Sequence, residues 1–227
     1  MRHIAIGDIH GCFDALTTLV ERIPIADDDI VVTLGDHIDR GPKSRETIDW
    51  LIARHAAGAL IPLKGNHEIM MLEAGAGIDG ALADWRLCGG EATLRSYATG
   101  GGRAALRDIP ADHWAFVRVS CRDYYETDSH IFVHASADAD TPLNEQPEHM
   151  LFWEKFHSRP RPHSSGRRMI CGHTPQRDGR PLDIGHAVCI DTGAYKDGGW
   201  LTALDVTSGA YWQANQAREL RAGRLDS

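Results

Sequence analysis

Val31-Val32-Thr33-Leu34-Gly35-Asp36-His37-Ile38-Asp39-Arg40-Gly41 reads as a buried strand that runs into a glycine-bounded turn carrying two carboxylates and a guanidinium. Apolar and β-branched residues make the strand, and the C-terminal edge of such strands is where an α/β fold places its chemistry. A lone aspartate after a strand carries little weight. Other strand-to-turn junctions in the chain also end in residues suited to metal, and together they mark this turn as the centre of a site.

The 227 residues suit one α/β domain with room for a sizeable core, expected over 1-216 and followed by a polar tail at 217–227 that frays. With 42% hydrophobic and 25% charged residues the composition is that of a globular protein. No apolar run approaches the roughly 20 residues that span a bilayer. The start leads straight into the strand-like His3-Ile4-Ala5-Ile6, with no signal peptide, so a cytoplasmic protein without membrane association is expected. A net charge of -8 argues against a nucleic-acid partner, and a monomer is the default. The five cysteines, at 12, 88, 121, 171 and 189, have no close paired spacing and are expected as reduced thiols, with Cys12, Cys171 and Cys189 packing beside strand ends.

In Gly7-Asp8-Ile9-His10-Gly11, residues two apart aim at one point while glycines open the turn. Apolar positions 13, 16, 19, 20 and 23 predict an amphipathic helix, and Ser44 to Arg54 a second. Ala59 to Leu63 reads as a strand leading to Lys64-Gly65-Asn66-His67-Glu68, which sets an oxygen ligand, a proton carrier and a carboxylate side by side. Glu68 either orients its neighbours or simply opens the following helix. Residues 75–112 predict a helical excursion over one side of the site, broken at Gly89-Gly90 and Gly100-Gly101-Gly102 and able to shape substrate access.

Residues 114–119 and 121–126 read as sheet. Ile131-Phe132-Val133 ends at His134, ambiguous alone, but Arg168 to Cys171 repeats the pattern at Gly172-His173. Two imidazoles favour Mn, Fe or Zn over Mg, with Ni and Co also open. Between them a helix over 150–156 precedes a basic loop with Arg159 and Arg161, which either faces solvent or offers a cation to an anionic substrate. Val188 to Ile190 leads to Asp191-Thr192-Gly193-Ala194-Tyr195, where Asp191 reads as an anchor for the Gly-His turn and Tyr195 as a pocket wall.

Asp8, His10 and Asp36 can form one metal sphere, and Asp36, Asn66, His134 and His173 another. Only a carboxylate bridges ions roughly 3.5 to 4 Å apart, which assigns the bridge to Asp36. The expected nucleophile is a hydroxide shared by the two ions. Arg40 would neutralise charge on phosphorus-bound oxygens, and His67, held by Asp39, would protonate the leaving group.

The motifs at 7–11, 35–41 and 65–68, with Val133-His134-Ala135, Cys171-Gly172-His173-Thr174-Pro175 and Asp191-Thr192-Gly193, resemble the signature of the calcineurin-like metallophosphoesterases. Within that family the similarity is to the bacterial and phage serine/threonine phosphoprotein phosphatases, over about residues 3 to 206. The resemblance implies a central β-sandwich of mixed sheets flanked by helices, two divalent ions commonly supplied as manganese, and phosphomonoester hydrolysis. It also implies a second phosphate-binding arginine where this chain has Lys155; Lys155, Arg159 or Arg161 would take that place. The first expectation for substrate is a phosphorylated protein or small phosphoester. Symmetrical cleavage of dinucleoside tetraphosphates, or a broad phosphoester range, is the alternative, and a nucleoside pocket is expected to need more structure than residues 75–112 offer.

Overall fold

The structure is a computed structural model that describes residues 2–98, 104–156 and 159–225. β1 (His3–Ile6), α1 (Phe13–Arg22), β2 (Ile30–Thr33), α2 (Ser44–Ala56), β3 (Leu60–Pro62) and α3 (Asn66–Gly75) follow one another. The three strands pair in parallel, Ile4 opposite Val31 and Val31 opposite Leu60, so their C-terminal ends share one edge. The chain continues through α4 (Ala81–Trp85), a wide π-type turn at Arg86–Gly90, α5 (Glu91–Ser96) and α6 (Ala111–Ala115), which runs into a second wide turn at Phe116–Ser120.

Residues 114–119 are therefore helical where sheet is expected. His113, Phe116 and Val117 are buried while Arg118 and Val119 point outward, a three-to-four-residue period that overrides the β-branched content. Gly100-Gly101-Gly102, an expected break, lies outside the described residues.

β4 (Tyr124–Glu126), β5 (His130–Val133), α7 (Glu148–Phe152), β6 (Arg168–Cys171), β7 (Leu182–Asp183) and β8 (Ala187–Cys189) come next. Their strands form a sheet of order β4-β5-β6-β8-β7, with β5, β6 and β8 parallel. Trp153 already leaves the helical region at φ -129°, which ends α7 earlier than the expected 150–156 helix. β9 (Leu201–Asp205), β10 (Ala210–Ala214) and β11 (Leu220–Arg224) complete the first sheet as β11-β10-β9-β1-β2-β3.

The fraying expected of 217–227 is corrected by β11, which pairs with β10 from Ala210 opposite Arg224 to Ala214 opposite Leu220. Its polar composition is that of an edge strand with little to bury. Residues 226–227 lie outside the described residues.

Ala5, Val32, Leu34 and Leu204 of the first sheet pack on Phe132, Ile170 and Val188 of the second. Their sequence neighbours point the other way: Ile4, Ile6 and Val31 meet Leu16, Leu19, Ile48 and Leu51 of α1 and α2, and Ile131, Val133 and Met169 meet Leu151 and Phe152 of α7. Strands buried on both faces are why the apolar runs are continuous. The fold is α/β, a sandwich of two mixed sheets flanked by helices.

Candidate dinuclear metal centre

Among the described residues, seven that are not glycine adopt positive φ. Five of them are His10 (47°), Asp36 (48°), Asp39 (73°), Arg40 (67°) and His173 (64°), all at strand ends. Such conformations cost of order 1–3 kcal/mol each and persist only where surrounding bonds over-determine them. Ile9 and His10 both donate backbone N–H to the Asp36 carbonyl, Gly41 donates to that of His10, and Gly172 to that of His134. The fully buried Glu68 carboxylate accepts the N–H groups of Asp36 (2.8 Å), His37 (2.9 Å) and Gly65 (2.8 Å), so it orients the neighbouring turns. Gly65 lies so close that a Cβ there would overlap the Asp36 carboxylate.

Carbonyl acceptors fix the imidazole tautomers. His10 Nδ1 is 2.8 Å from the Ile38 oxygen, His134 Nδ1 2.8 Å from that of Leu34, and His173 Nε2 3.2 Å from that of Trp153. A carbonyl only accepts, so these nitrogens carry the protons and the opposite ones carry lone pairs. His134 Nε2, His173 Nδ1 and Asn66 Oδ1 then face one another at 3.0, 3.0 and 3.2 Å, with Asp36 Oδ1 3.4 Å from His134 Nε2. On the other side, Asp36 Oδ2 lies 3.4 Å from His10 Nε2 and 3.8 Å from His67 Nε2.

Around Asn66, His134 and His173, lone pairs turned on one another with no proton between them repel, and a cation removes the repulsion. The donors fit two divalent ions: Asp36, His134 and His173 form one cluster, with Asn66 beside it, and on the other side His10 and Asp36 meet His67, whose imidazole is bound by Asp39. Asp36 is common to both. Burial holds His10 well below the usual imidazole range and brings His173 to about 4, so both are neutral at pH 7.

Asp8 falls in neither cluster but lies within charge range of Asp36, and its two oxygens accept the His173 N–H at 3.1 and 3.0 Å. Burial, then the charges of Asp191 and Asp36, push its carboxyl well up, the state of a group that a nearby cation would relieve. Asp191 accepts the Gly193 N–H on its side chain and the Gln176 N–H on its carbonyl, both at 2.9 Å, and so anchors the chain beyond His173.

His67 Nδ1 lies 2.6 Å from Asp39 Oδ2. Burial opposes its protonation, but Asp36 and Asp39 outweigh burial and raise its pKa. Burial likewise pushes the Asp39 carboxyl up, partly offset by hydrogen bonds from His67, Thr93 and Trp85. Trp85 and Thr93 are not singled out by the sequence reading; the available signal is that a buried indole N–H needs an acceptor.

Arg40 Nη1 is 2.7 Å from His10 Nε2, and its guanidinium lies 4.5 Å over the Tyr195 ring, which itself meets His10 edge-on at 4.9 Å. Tyr195 thus flanks the centre. Lys155 is exposed on the segment between Trp153 and Phe156, which bond His173 and Thr174. Arg159 is exposed, and Arg161 is bound to Asp140 at the surface (2.7 Å) instead of reaching the centre. No helix among the described residues is long and apolar enough to cross a membrane.

The model of the calcineurin-like phosphoesterase family matches residues 1–198. The chain is 31% identical over 213 residues to serine/threonine-protein phosphatase 1 of Salmonella typhimurium, covering 88% of this chain and 90% of that one. It is 47% identical over 83 residues to the symmetrical bis(5'-nucleosyl)-tetraphosphatase of Neisseria gonorrhoeae, which spans 36% of this chain and 29% of that protein. A crystal structure of a candidate diadenosine tetraphosphatase superposes with a TM-score of 0.67 at 17% identity, over 98% of this chain and 93% of that one. Lone pairs gathered at the ends of parallel strands in a mixed-sheet sandwich agree with the family match, and the chain belongs to the calcineurin-like phosphoesterases.

Proposed function

We propose that the protein is a metal-dependent phosphoesterase of broad specificity whose substrates include dinucleoside tetraphosphates. A contrast within the site carries this reading. Groups that would handle the phosphate are fixed: Asp36, Asn66 and His67 are buried, and the Arg40 guanidinium lies over the Tyr195 ring. Groups expected to read the rest of a substrate do not converge on it: Arg159 lies exposed and Arg161 is bound to Asp140 at the surface.

Asp8, His10, Asp36, Asn66, His134 and His173 would hold two divalent ions, manganese by first expectation. When bound, such ions supply Lewis acidity towards phosphoryl oxygens and water. Arg40 donates to the equatorial oxygens, where charge develops, while Tyr195 keeps the guanidinium in place. His67 gives its Nε2 proton to the leaving oxygen, and Asp39 holds the imidazole through Nδ1. Water oxygen joins phosphorus, the ester or anhydride P–O bond breaks, the departing alcohol or phosphate carries the proton from His67, and the water's protons leave with the released phosphate or return to His67.

A phosphoprotein phosphatase is the second reading, favoured by the likeness to the Salmonella phosphatase along most of both chains. Residues 75–112 border the site through Trp85, Gly89 and Thr93, which engage Asp39 and Arg40.

The test is to strip the protein of metal, restore manganese, and compare specific activity on diadenosine tetraphosphate and on phosphoserine, phosphothreonine and phosphotyrosine peptides. The proposal expects manganese-restored hydrolysis of the tetraphosphate and of several phosphopeptides. Activity confined to phosphoserine and phosphothreonine replaces it by the second reading, and full activity in chelator with no retained metal overturns the metal dependence.

A further inference from the structure

The helical excursion lies against the acid and the phosphate clamp, not at a distance from them. Asp39 is completely buried and its hydrogen bonds can be accounted for atom by atom. Oδ2 accepts from His67 Nδ1 at 2.6 Å and from Trp85 Nε1 at 2.8 Å; Oδ1 accepts from Thr93 Oγ1 at 2.6 Å. The Thr93 hydroxyl has one proton, which goes to Oδ1. Its lone pairs are free to accept the Asp39 backbone N–H at 2.8 Å, and Ser44 Oγ stands 3.0 Å away. One threonine thus grips Asp39 by both backbone and carboxylate.

That grip acts on a strained pair. Asp39 and Arg40 hold consecutive φ values of 73° and 67°, which L-residues rarely adopt. Arg40 donates its N–H to the Gly89 carbonyl at 3.2 Å, and Gly89, itself at φ 122°, comes so near that a Cβ would lie 2.8 Å from Arg40 Cγ. The wide turn at Arg86–Gly90 therefore places Trp85, Gly89 and Thr93 on one two-residue target.

We propose that Thr93 and Trp85 are positioning residues for acid catalysis, acting through Asp39 on His67. Neither exposes any surface, so neither reaches a substrate. The assignment rests on the phosphoesterase reading, and it differs from a purely packing role in what it predicts. Packing loss harms every substrate and lowers stability. Loss of positioning harms the turnover of esters whose leaving group must be protonated and spares those whose leaving group departs as an anion.

The experiment is steady-state kinetics of the manganese-loaded protein on phenyl phosphate and 2,4-dinitrophenyl phosphate. Thr93→Val keeps the shape and removes both hydrogen bonds; Thr93→Ser keeps the hydroxyl. We expect Thr93→Val to lower kcat on phenyl phosphate by about tenfold or more, with KM and the dinitrophenyl rate within about twofold of wild type. Thr93→Ser should restore the phenyl phosphate rate. Should Thr93→Val fold poorly, Trp85→Phe, which loses the indole N–H together with part of the ring, is expected to give the same split.

Equal loss on both esters, loss confined to KM, or no rescue by serine overturns the inference. A wild-type protein inert to both esters overturns the phosphoesterase reading and this inference with it. An active wild type whose variants show no split overturns this inference alone.

Discussion

Asp36 presents a different oxygen to each side of the centre: Oδ1 lies 3.4 Å from His134 Nε2, and Oδ2 lies 3.4 Å from His10 Nε2. Asp36→Asn keeps this shape but turns one oxygen into an N–H2 donor that cannot ligate. We expect metal analysis to find at most one ion per chain in that variant and activity to fall by on the order of a hundredfold or more. Arg40→Ala is expected to retain both ions while kcat/KM falls by a comparable factor, because the clamp acts on the phosphate rather than the metal. Two ions per chain in Asp36→Asn would remove the bridging role. His10, Asp36, Asn66, His67 and His173 are legible in the sequence because each follows an apolar run at a glycine-framed turn, and His134 because it directly follows Ile131-Phe132-Val133 and the Gly172-His173 turn repeats the pattern. Trp85 and Thr93 are not, since their bonds to Asp39 span 46 and 54 positions with no local pattern between. The turn of Asp8 towards the His173 N–H is equally invisible, being set by a residue 165 positions away.

At the level of elements, the strands that carry the site are the readable ones, because burial on both faces leaves uninterrupted apolar runs. β11 fails that test: most of its side chains are exposed, and what holds it is its register with β10 and the bonds of Arg221 to Gln213 Oε1 (2.8 Å) and the Gly179 carbonyl (2.7 Å). Just before β11, Arg218 reaches back to α1, where the Asp14 carboxylate accepts from Lys43 (2.6 Å) and Arg218 (2.7 Å). The bond from Lys43, then that from Arg218, holds the Asp14 carboxyl below its ordinary value of 3.8. A carboxyl with a lower pKa folded than unfolded contributes stability above the unfolded value and loses it as pH falls through the folded one. Arg218→Ala should therefore lower the urea midpoint modestly at pH 7, with the gap to wild type closing below about pH 4. A gap that stays constant to pH 2 would assign the loss to something other than this ion pair.

The molecule as a whole is two sheets whose parallel strands, β1, β2 and β3 in one and β5, β6 and β8 in the other, deliver their following turns to a shared edge. His10, Asp36 and Asn66 come from the first sheet and His134 and His173 from the second, so ions held there tie the sandwich together at the place where its lone pairs repel. An ion that binds the folded chain and not the unfolded one stabilises it by about 2.7 kcal/mol at a hundred times its Kd. For a chain of this size that corresponds to about 5–10 °C in Tm. Manganese is expected to raise the melting temperature of the metal-stripped protein by that order, chelator to reverse the rise, and Asp36→Asn to lose at least half of it. The rise should grow with the logarithm of free manganese once sites are filled, as linkage requires, and should survive in His67→Asn if that imidazole serves as acid rather than as ligand. A melting temperature indifferent to manganese and chelator in the wild-type chain would mean that the converging lone pairs are satisfied some other way, and the dinuclear centre would have to be given up.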